Sequence, residues 1–256
     1  MRVDRDTFPE MTARGQVVTA GTLWLGHPRR CPRLFLETPL YLGEGCRLEV
    51  GFVGMGTQVG NDTWVRRCRR IGRFSVIGER CRIGAAYGAD TGELPVCAMI
   101  RSRQGWWGDA VRTEHPVLSE KRPPTVIGND VWIGDGAVIL EGVTVGDGAV
   151  IAPLALLAAS VPEGALVCGN PGHIAGYRYE KAFPWWNYGS ALLEKTDFSL
   201  LSGREDFFRN AAEMARHQAP VPLERTGFLL THRQGICSVW RTGAEGKKLC
   251  YQIPCQ

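Results

Sequence analysis

A six-residue spacing of aliphatic side chains is the feature of this sequence that most restricts its fold. A first run lies between Val59 and Ile83, and a more regular run lies between Ile127 and Leu157. The aliphatic positions at six-residue steps are Val59, Val65, Ile71, Ile77, Ile83, Ile127, Ile133, Ile139, Val145, Ile151 and Leu157. In the second run, the fourth position after each aliphatic residue is occupied by Val131, Ala137, Val143, Ala149, Ala155 and Val161.

A period of six matches neither the 3.6-residue period of an α-helix nor the two-residue alternation of a plain β-strand. It predicts a mainly β solenoid, in which three six-residue units make one triangular coil and the coils stack as parallel strands. Each aliphatic residue fills the interior, and each small residue allows the chain to turn a corner. Glycines that follow the aliphatic residues, such as Gly78 and Gly134, tolerate backbone angles that other residues resist.

The pattern divides the chain into three segments. We expect residues 41–168 to form the solenoid, with a slipped corner where Leu48 and Val53 fall out of phase. Residues 1–40 lack the repeat and are expected to form short strands that cap the first coil. Residues 169–256 are expected to be a C-terminal extension containing short strands and a helix over about residues 202–217, which Ser202 can cap.

The repeat is interrupted by an excursion loop over residues 85–126, which holds Asp90, Trp106, Trp107 and His115. A long insertion in a compact repeat fold is uncommon unless it is functional. We therefore expect this loop to carry the active site and to project toward a neighbouring subunit.

Composition excludes several classes of protein. The net charge of +4 on 256 residues is too small for a nucleic-acid partner, and no apolar stretch is long enough to span a membrane or to direct secretion. We therefore expect a cytoplasmic protein. Nine cysteines without a CxxC motif indicate reduced thiols, of which Cys46 and Cys81 occupy interior positions.

Two segments, one at the start of the second run and one after it, resemble the hexapeptide-repeat acetyltransferases, especially the galactoside, maltose and xenobiotic acetyltransferases. These segments are Ile127–Gly134 (IGNDVWIG) and Gly169–Ile174 (GNPGHI). The resemblance implies a left-handed parallel β-helix, a homotrimer with active sites between subunits, and acetyl-CoA or another acyl-CoA as co-substrate. The acceptor would be a hydroxyl or amine of a sugar, an antibiotic or another small intermediate.

The resemblance also implies roles for single residues. The sequence Thr113–Val117 (TEHPV) is similar to the loop that carries the catalytic histidine in the sugar-acetylating group, which makes His115 the candidate base. In the xenobiotic group the histidine follows an asparagine soon after the coil, and Asp90 stands near that place. The residues that correspond to coenzyme A contacts are Trp132, Asp135, Pro153, Ala158, Ala159 and His173.

Several alternatives remain open at this stage. Ala158 and Ala159 replace a Thr-Lys pair of the family, which favours a catalytically silent scaffold as the rival of the acyltransferase. The arginine cluster at positions 66, 67, 69 and 70 is expected to be solvated or to contact another subunit rather than to bind a phosphate. His27, His217 and His232 fall outside the repeat and are expected at the surface, so no metal site is predicted.

Overall fold

Short parallel strands carry the six-residue units in the computed structural model of the chain. The structure describes residues 2–3, 17–19, 21–26, 31–86, 122–179, 183–197, 199, 202–217, 219–221, 226–233, 236–244 and 246–254. The strands before the insertion are β1 (Arg2–Val3), β2 (Val17–Thr19), β3 (Leu23–Leu25), β4 (Arg33–Glu37), β5 (Leu40–Leu42), β6 (Arg47–Val50), β7 (Phe52–Val53), β8 (Gln58–Val59), β9 (Trp64–Ile71), β10 (Val76–Ile77) and β11 (Arg82–Ala85).

The first strands after the insertion continue the repeat, and the last ones pair in the antiparallel direction. They are β12 (Thr125–Ile127), β13 (Trp132–Ile133), β14 (Val138–Leu140), β15 (Thr144–Val145), β16 (Val150–Ile151), β17 (Leu156–Leu157), β18 (Ala165–Cys168), β19 (His173–Tyr177), β20 (Gly227–Arg233), β21 (Ile236–Gly243) and β22 (Gly246–Pro254). The helices are a 3-10 helix at Trp185–Tyr188, α1 (Ser190–Glu194) and α2 (Arg204–Ala215).

The repeat strands stack in three parallel ladders. The first ladder contains β2, β5, β8, β10, β13, β16 and β18. The second contains β3, β6, the start of β9, β11, β14 and β17, and the third contains β4, β7, the end of β9, β12 and β15. Within a ladder Val59 pairs with Ile77, and Ile133 pairs with Ile151. Since these partners are eighteen residues apart, or three six-residue units, the architecture fits a β-helix.

The interior is filled by the predicted aliphatic and small residues. All eleven aliphatic positions and all six small positions of the two runs are buried and belong to one hydrophobic cluster. Burial of each large aliphatic side chain contributes about 1.5–3 kcal/mol. Cys46 and Cys81 are fully buried in this interior, which confirms their predicted place, and the cysteines that the structure describes are all free thiols.

The phase slip near residue 50 is confirmed by the register. Leu48 pairs with Val65, which is only seventeen residues later, and the register shifts between Leu48 and Val50. Strands β2 and β3 join the first and second ladders in parallel, as shown by the pairing of Leu25 with Leu48. Strand β1 instead pairs with β3 in the antiparallel direction.

The first ladder continues across the insertion in regular register. Ile77 pairs with Ile133 across it, as it would with the next unit of an unbroken repeat. The chain leaves after β11, which lies between β9 and β14 in the second ladder, and returns at β12 in the third ladder. The described strands extend to Ala85 on one side and begin at Thr125 on the other.

The C-terminal helices pack on one corner of the repeat through an aromatic cluster. Trp185, Trp186, Leu192 and Ala211 are buried together, and the rings of Trp185 and Phe74 are 4.8 Å apart. The N-cap residue of α2 is Gly203, one residue later than the predicted cap Ser202, and the helix begins at Arg204. The Ser202 hydroxyl instead donates a hydrogen bond to the Asp206 carboxylate.

The last three strands form an antiparallel sheet that extends the third ladder. β20 pairs with β4, and β21 and β22 follow outward. His232 on β20 is 8% exposed, so its expected place at the surface is wrong. It lies on the side of β20 that faces Gly26, where the imidazole is close to the backbone. No helix in the described part of the chain is both long and apolar enough to cross a membrane.

Candidate functional site

The corner between the first and second ladders presents a stack of polar side chains. Asn61, Glu79, Asp135 and Pro153 occupy equivalent positions at successive levels of this corner. The Asn61 amide donates to Glu79 at 3.0 Å, and the backbone N–H of Glu79 donates to Oδ1 of Asp135 at 2.9 Å. The Asp135 carboxylate therefore has a structural role in satisfying the backbone of the preceding level.

The same arrangement occurs at another corner, where the backbone N–H of Asn129 donates to Oδ1 of Asp147 at 2.7 Å. A carboxylate at this position of the repeat thus supports the backbone whether or not it also contacts a ligand. The outer oxygen of Asp135 remains at the surface, because the residue is exposed.

Pro153 continues this corner beyond Asp135. The backbone N–H of Leu154, next to Pro153, donates to the carbonyl of Asp135 at 2.9 Å. His173 begins β19 and pairs with Cys168, and its Nε2 is 3.5 Å from the Cys168 Sγ. The structure thus places Asp135 and Pro153 at successive levels of one corner, and His173 on the last strand of the first ladder, beside Cys168.

Ala158 and Ala159 lie at the opposite edge of the second ladder. They directly follow β17, whereas Pro153 and Leu154 precede it. Both alanines are exposed. Between the two sets of residues lies the outer side of the second ladder, where Arg82, Val138 and Leu156 are aligned by the strand register. This strip of half-buried side chains is the surface that joins the predicted coenzyme A contacts.

Trp132 is separate from both sets. It faces outward from the first ladder between Val76 and Val150, and its side chain is 42% exposed. Val18 and Val76 on the same ladder are 47% and 38% exposed. The first ladder therefore presents an apolar outer side, of the kind that marks a contact with another molecule.

Four residues of the predicted site lie outside the described residues: Asp90, Trp106, Trp107 and His115. The structure does define where their segment is attached. Residue 86 follows β11 at the edge of the second ladder that also carries Ala158 and Ala159. The predicted base and two of the predicted cofactor residues are thus attached to the same corner of the repeat.

An alternating stack of tryptophan and arginine side chains was not predicted from the sequence. The Arg47 guanidinium lies 4.8 Å from the ring centre of Trp24 and 4.3 Å from that of Trp64, and Arg82 lies 4.7 Å from Trp64. These residues are neighbours across the second ladder, although Arg47 and Arg82 are far apart in sequence. Such cation–π contacts hold the Arg82 guanidinium at the end of the strip next to Trp64, with Val138 and then Leu156 on its other side.

A groove of about 810 Å³ lies elsewhere, between the repeat and α2. It is lined by Arg178, Tyr179, Ser202, Gly203, Arg204, Glu205, Asp206 and Phe208. Arg178 donates to the carbonyl of Gly148 at 2.9 Å and approaches the Asp130 carboxylate at 3.5 Å. Burial raises the pKa of Asp130 and the nearby Arg178 charge opposes that shift. None of the predicted site residues that the structure describes lines this groove, which lies where the C-terminal segment contacts the repeat.

The described residues contain no group of three or more histidine, cysteine, aspartate or glutamate side chains that could hold a metal ion. This observation concerns the described ranges alone.

Sequence comparison identifies the repeat. The family model for the bacterial transferase hexapeptide (six repeats) matches residues 124–159. A chloramphenicol acetyltransferase from Klebsiella aerogenes is 38% identical over 137 residues, which are 47% of this chain and 61% of that protein. A chloramphenicol acetyltransferase from Agrobacterium fabrum is 41% identical over 86 residues, which are 31% of this chain and 41% of that protein.

Structure comparison finds AntD, an N-acyltransferase from Bacillus cereus in complex with dTDP and 3-hydroxybutyryl-CoA. It is 15% identical, with a TM-score of 0.48 over 64% of this chain and 80% of that chain. The chain spans less than two thirds of the length of the curated relatives given above. Residues 124–159 carry the bacterial transferase hexapeptide repeat, and the predicted resemblance of the chain to the hexapeptide-repeat acetyltransferases is confirmed.

Proposed function

We propose that this chain is an acyl-CoA-dependent acyltransferase that moves an acyl group, in the first instance acetyl, to a hydroxyl or amine of a small acceptor. The observation that carries the proposal is the 38% identity over 137 residues with a protein named as a chloramphenicol acetyltransferase. The acceptor class comprises sugars, antibiotics and other small biosynthetic intermediates.

We propose that the repeat forms a left-handed parallel β-helix. Its support is the eighteen-residue register of the three ladders together with the hexapeptide match. In this proposal residues 1–40 cap the first coil, residues 41–168 form the β-helix with the excursion loop 85–126, and residues 169–256 are the extension. The assembly would be a homotrimer located in the cytoplasm.

Coenzyme A would lie along the outer side of the second ladder. The strip from Arg82 through Val138 to Leu156 is bordered by Asp135, Pro153 and His173 on one side and by Ala158 and Ala159 on the other. Arg82 carries a fixed positive charge at one end of this strip. Because Ala158 and Ala159 offer only backbone groups for hydrogen bonding, the phosphates would depend on Arg82 and His173 for charge.

Catalysis requires a group that accepts the proton of the acceptor as its oxygen or nitrogen attacks the thioester carbonyl. His115 would be this base, since an imidazole is suited to proton transfer near neutral pH. Attack forms the new C–O or C–N bond, and collapse of the intermediate releases the coenzyme A thiolate, which is reprotonated. Asp90 is the alternative base, and Trp132 would border the reacting groups.

The test is a panel of acyl-CoA donors incubated with the full chain and candidate hydroxyl and amine acceptors, chloramphenicol among them. Thiol release and the mass of the acylated product would be measured together. The proposal predicts acceptor-dependent thiol release and a product heavier by one acyl group. Absence of transfer with every donor, combined with no change in melting temperature at millimolar coenzyme A, would instead support the scaffold.

A further inference from the structure

We propose that Arg67 and Glu141 are positioning residues, whose ion pair fixes the two ends of the segment 87–121 on the repeat. This inference rests on the proposed function, because that segment carries the candidate base His115. It assigns a role to two residues that lie at the attachment points of the segment and that contact no predicted cofactor residue in the described structure.

The hydrogen bonds of this pair reach both attachment points. The backbone N–H of Glu141 donates to the carbonyl of Ala85 at 2.8 Å, where the chain leaves the repeat. Nη2 of Arg67 donates to the carbonyl of Arg122 at 3.0 Å, where the chain returns. Nη1 of Arg67 and Oε2 of Glu141 are 2.7 Å apart, so the ion pair joins the departing and returning ends.

The local backbone is built around this contact. Arg67 has a φ of 43°, in the left-handed region that L-residues other than glycine rarely adopt. The ladder register also shifts between Ile83 and Ala85 and between Thr125 and Val126. Strained conformations of this kind persist only where the surroundings enforce them, and they cluster at functional sites.

The burial of the Glu141 carboxylate favours its pairing with the Arg67 guanidinium. The Glu141 side chain is only 8% exposed, whereas that of Arg67 is 36% exposed. A nearly buried carboxylate requires a charged partner, so the Arg67 guanidinium is held toward Glu141. The expectation that this arginine is solvated or contacts another subunit is thus replaced, for Arg67, by an intramolecular ion pair.

The test compares Glu141→Gln and Arg67→Gln with Arg66→Gln, which removes the same charge from the neighbouring position. Limited trypsin digestion of the full chain would report release of peptides cut at Arg101, Arg103 and Arg112. We expect the initial rate of cleavage within 87–121 to rise about tenfold in the first two variants and less than twofold in Arg66→Gln. Arg67→Lys can keep only one of the two contacts and should give an intermediate rate.

Kinetics separate positioning from loss of structure. With an active donor and acceptor pair, Glu141→Gln and Arg67→Gln should lower kcat about ten- to a hundredfold and leave KM for the acyl-CoA within about twofold. The double variant should be no worse than either single variant, since both remove the same interaction. Cleavage rates in both variants equal to that of Arg66→Gln would overturn the inference. An inactive wild type would refute the proposed function alone, because the digestion still decides the role of the ion pair.

Discussion

At the scale of single residues, the most consequential contact is a buried ion pair that ties three parts of the chain together. Arg73 and Glu37 are 1% and 0% exposed, and the Arg73 Nη2 lies 2.5 Å from the Glu37 Oε1. Arg73 also donates to the carbonyls of Trp186 and Val221, at 3.3 and 3.0 Å. This one guanidinium thus joins the repeat to an N-terminal strand and to the C-terminal extension.

Removing one charge of this pair should destabilise the protein strongly. Glu37→Gln leaves the buried guanidinium without its counter-ion, and we expect a loss of about 3–5 kcal/mol in the free energy of unfolding by urea. Arg209→Ala, which breaks an exposed ion pair with Asp206, is the control and should leave the urea midpoint unchanged. Equal midpoints for Glu37→Gln and the wild type would show that the pair contributes nothing to stability.

Because its interior thiols are buried, we expect the protein to lose stability at alkaline pH. Burial raises the pKa of Cys31 and of Cys46 to about 11, and that of Cys68 to about 12. The folded chain therefore keeps protons that the unfolded chain releases above about pH 9, so the free energy of unfolding falls as pH rises from about 9 to 12. Urea unfolding at several pH values in this range measures how steeply the free energy of unfolding falls with pH. Cys68→Ala should make this pH dependence shallower, and an identical dependence in this variant would contradict the contribution of Cys68.

At the scale of elements, the irregular strand pairing beside the insertion depends on a glycine. Gly84 has a φ of +69°, and a Cβ at this position would lie 1.7 Å from the carbonyl oxygen of Arg66. We expect Gly84→Ala to lower the free energy of unfolding by about 1–3 kcal/mol. Gly243→Ala is the control, because a Cβ there meets no atom within 4 Å. Equal urea midpoints for the two variants would show that the strand adjusts without cost.

The elements also show what the sequence could and could not predict. The six-residue period located every interior aliphatic position of the two runs, because burial in a repeat leaves a periodic signal. The period gave no sign that β9 runs unbroken from Trp64 to Ile71, since the irregular pairing beside Arg67 leaves the six-residue spacing from Val65 to Ile71 unchanged. The start of α2 was misplaced by one residue, because both Ser202 and Gly203 are acceptable cap residues.

At the scale of the whole molecule, the sequence did not predict that the C-terminal sheet pairs with β4. Strand β20 pairs with β4 along five residues of each strand, although almost two hundred positions separate them. No local pattern encodes such a partner, whereas the repeat encodes its own partner eighteen residues away. The same distinction applies to the candidate site. The corner positions of Asp135 and Pro153 follow from the six-residue period, whereas His115 lies outside the described residues.

The apolar outer side of the first ladder predicts the assembly. Val18, Val76 and Trp132 expose a large part of their side chains in the single chain, which favours burial against another copy. We expect light scattering at micromolar concentration to give the mass of three chains of 28.2 kDa each. A mass of one chain would rule out the trimer and leave the apolar surface without a partner.

The most direct test of the proposed mechanism is the turnover number of His115→Ala, with Asp90→Asn as the contrast, for an acceptor found in the donor panel. If the His115 imidazole accepts the acceptor proton, His115→Ala should lower kcat by roughly 10² to 10⁴ fold, the usual contribution of a positioned acid–base group. The affinity for coenzyme A should barely change, because the cofactor would be held by the repeat, and Asp90→Asn should be milder. An active enzyme whose His115→Ala variant keeps near-normal turnover would contradict the account and would transfer the role of base to Asp90 or to the substrate.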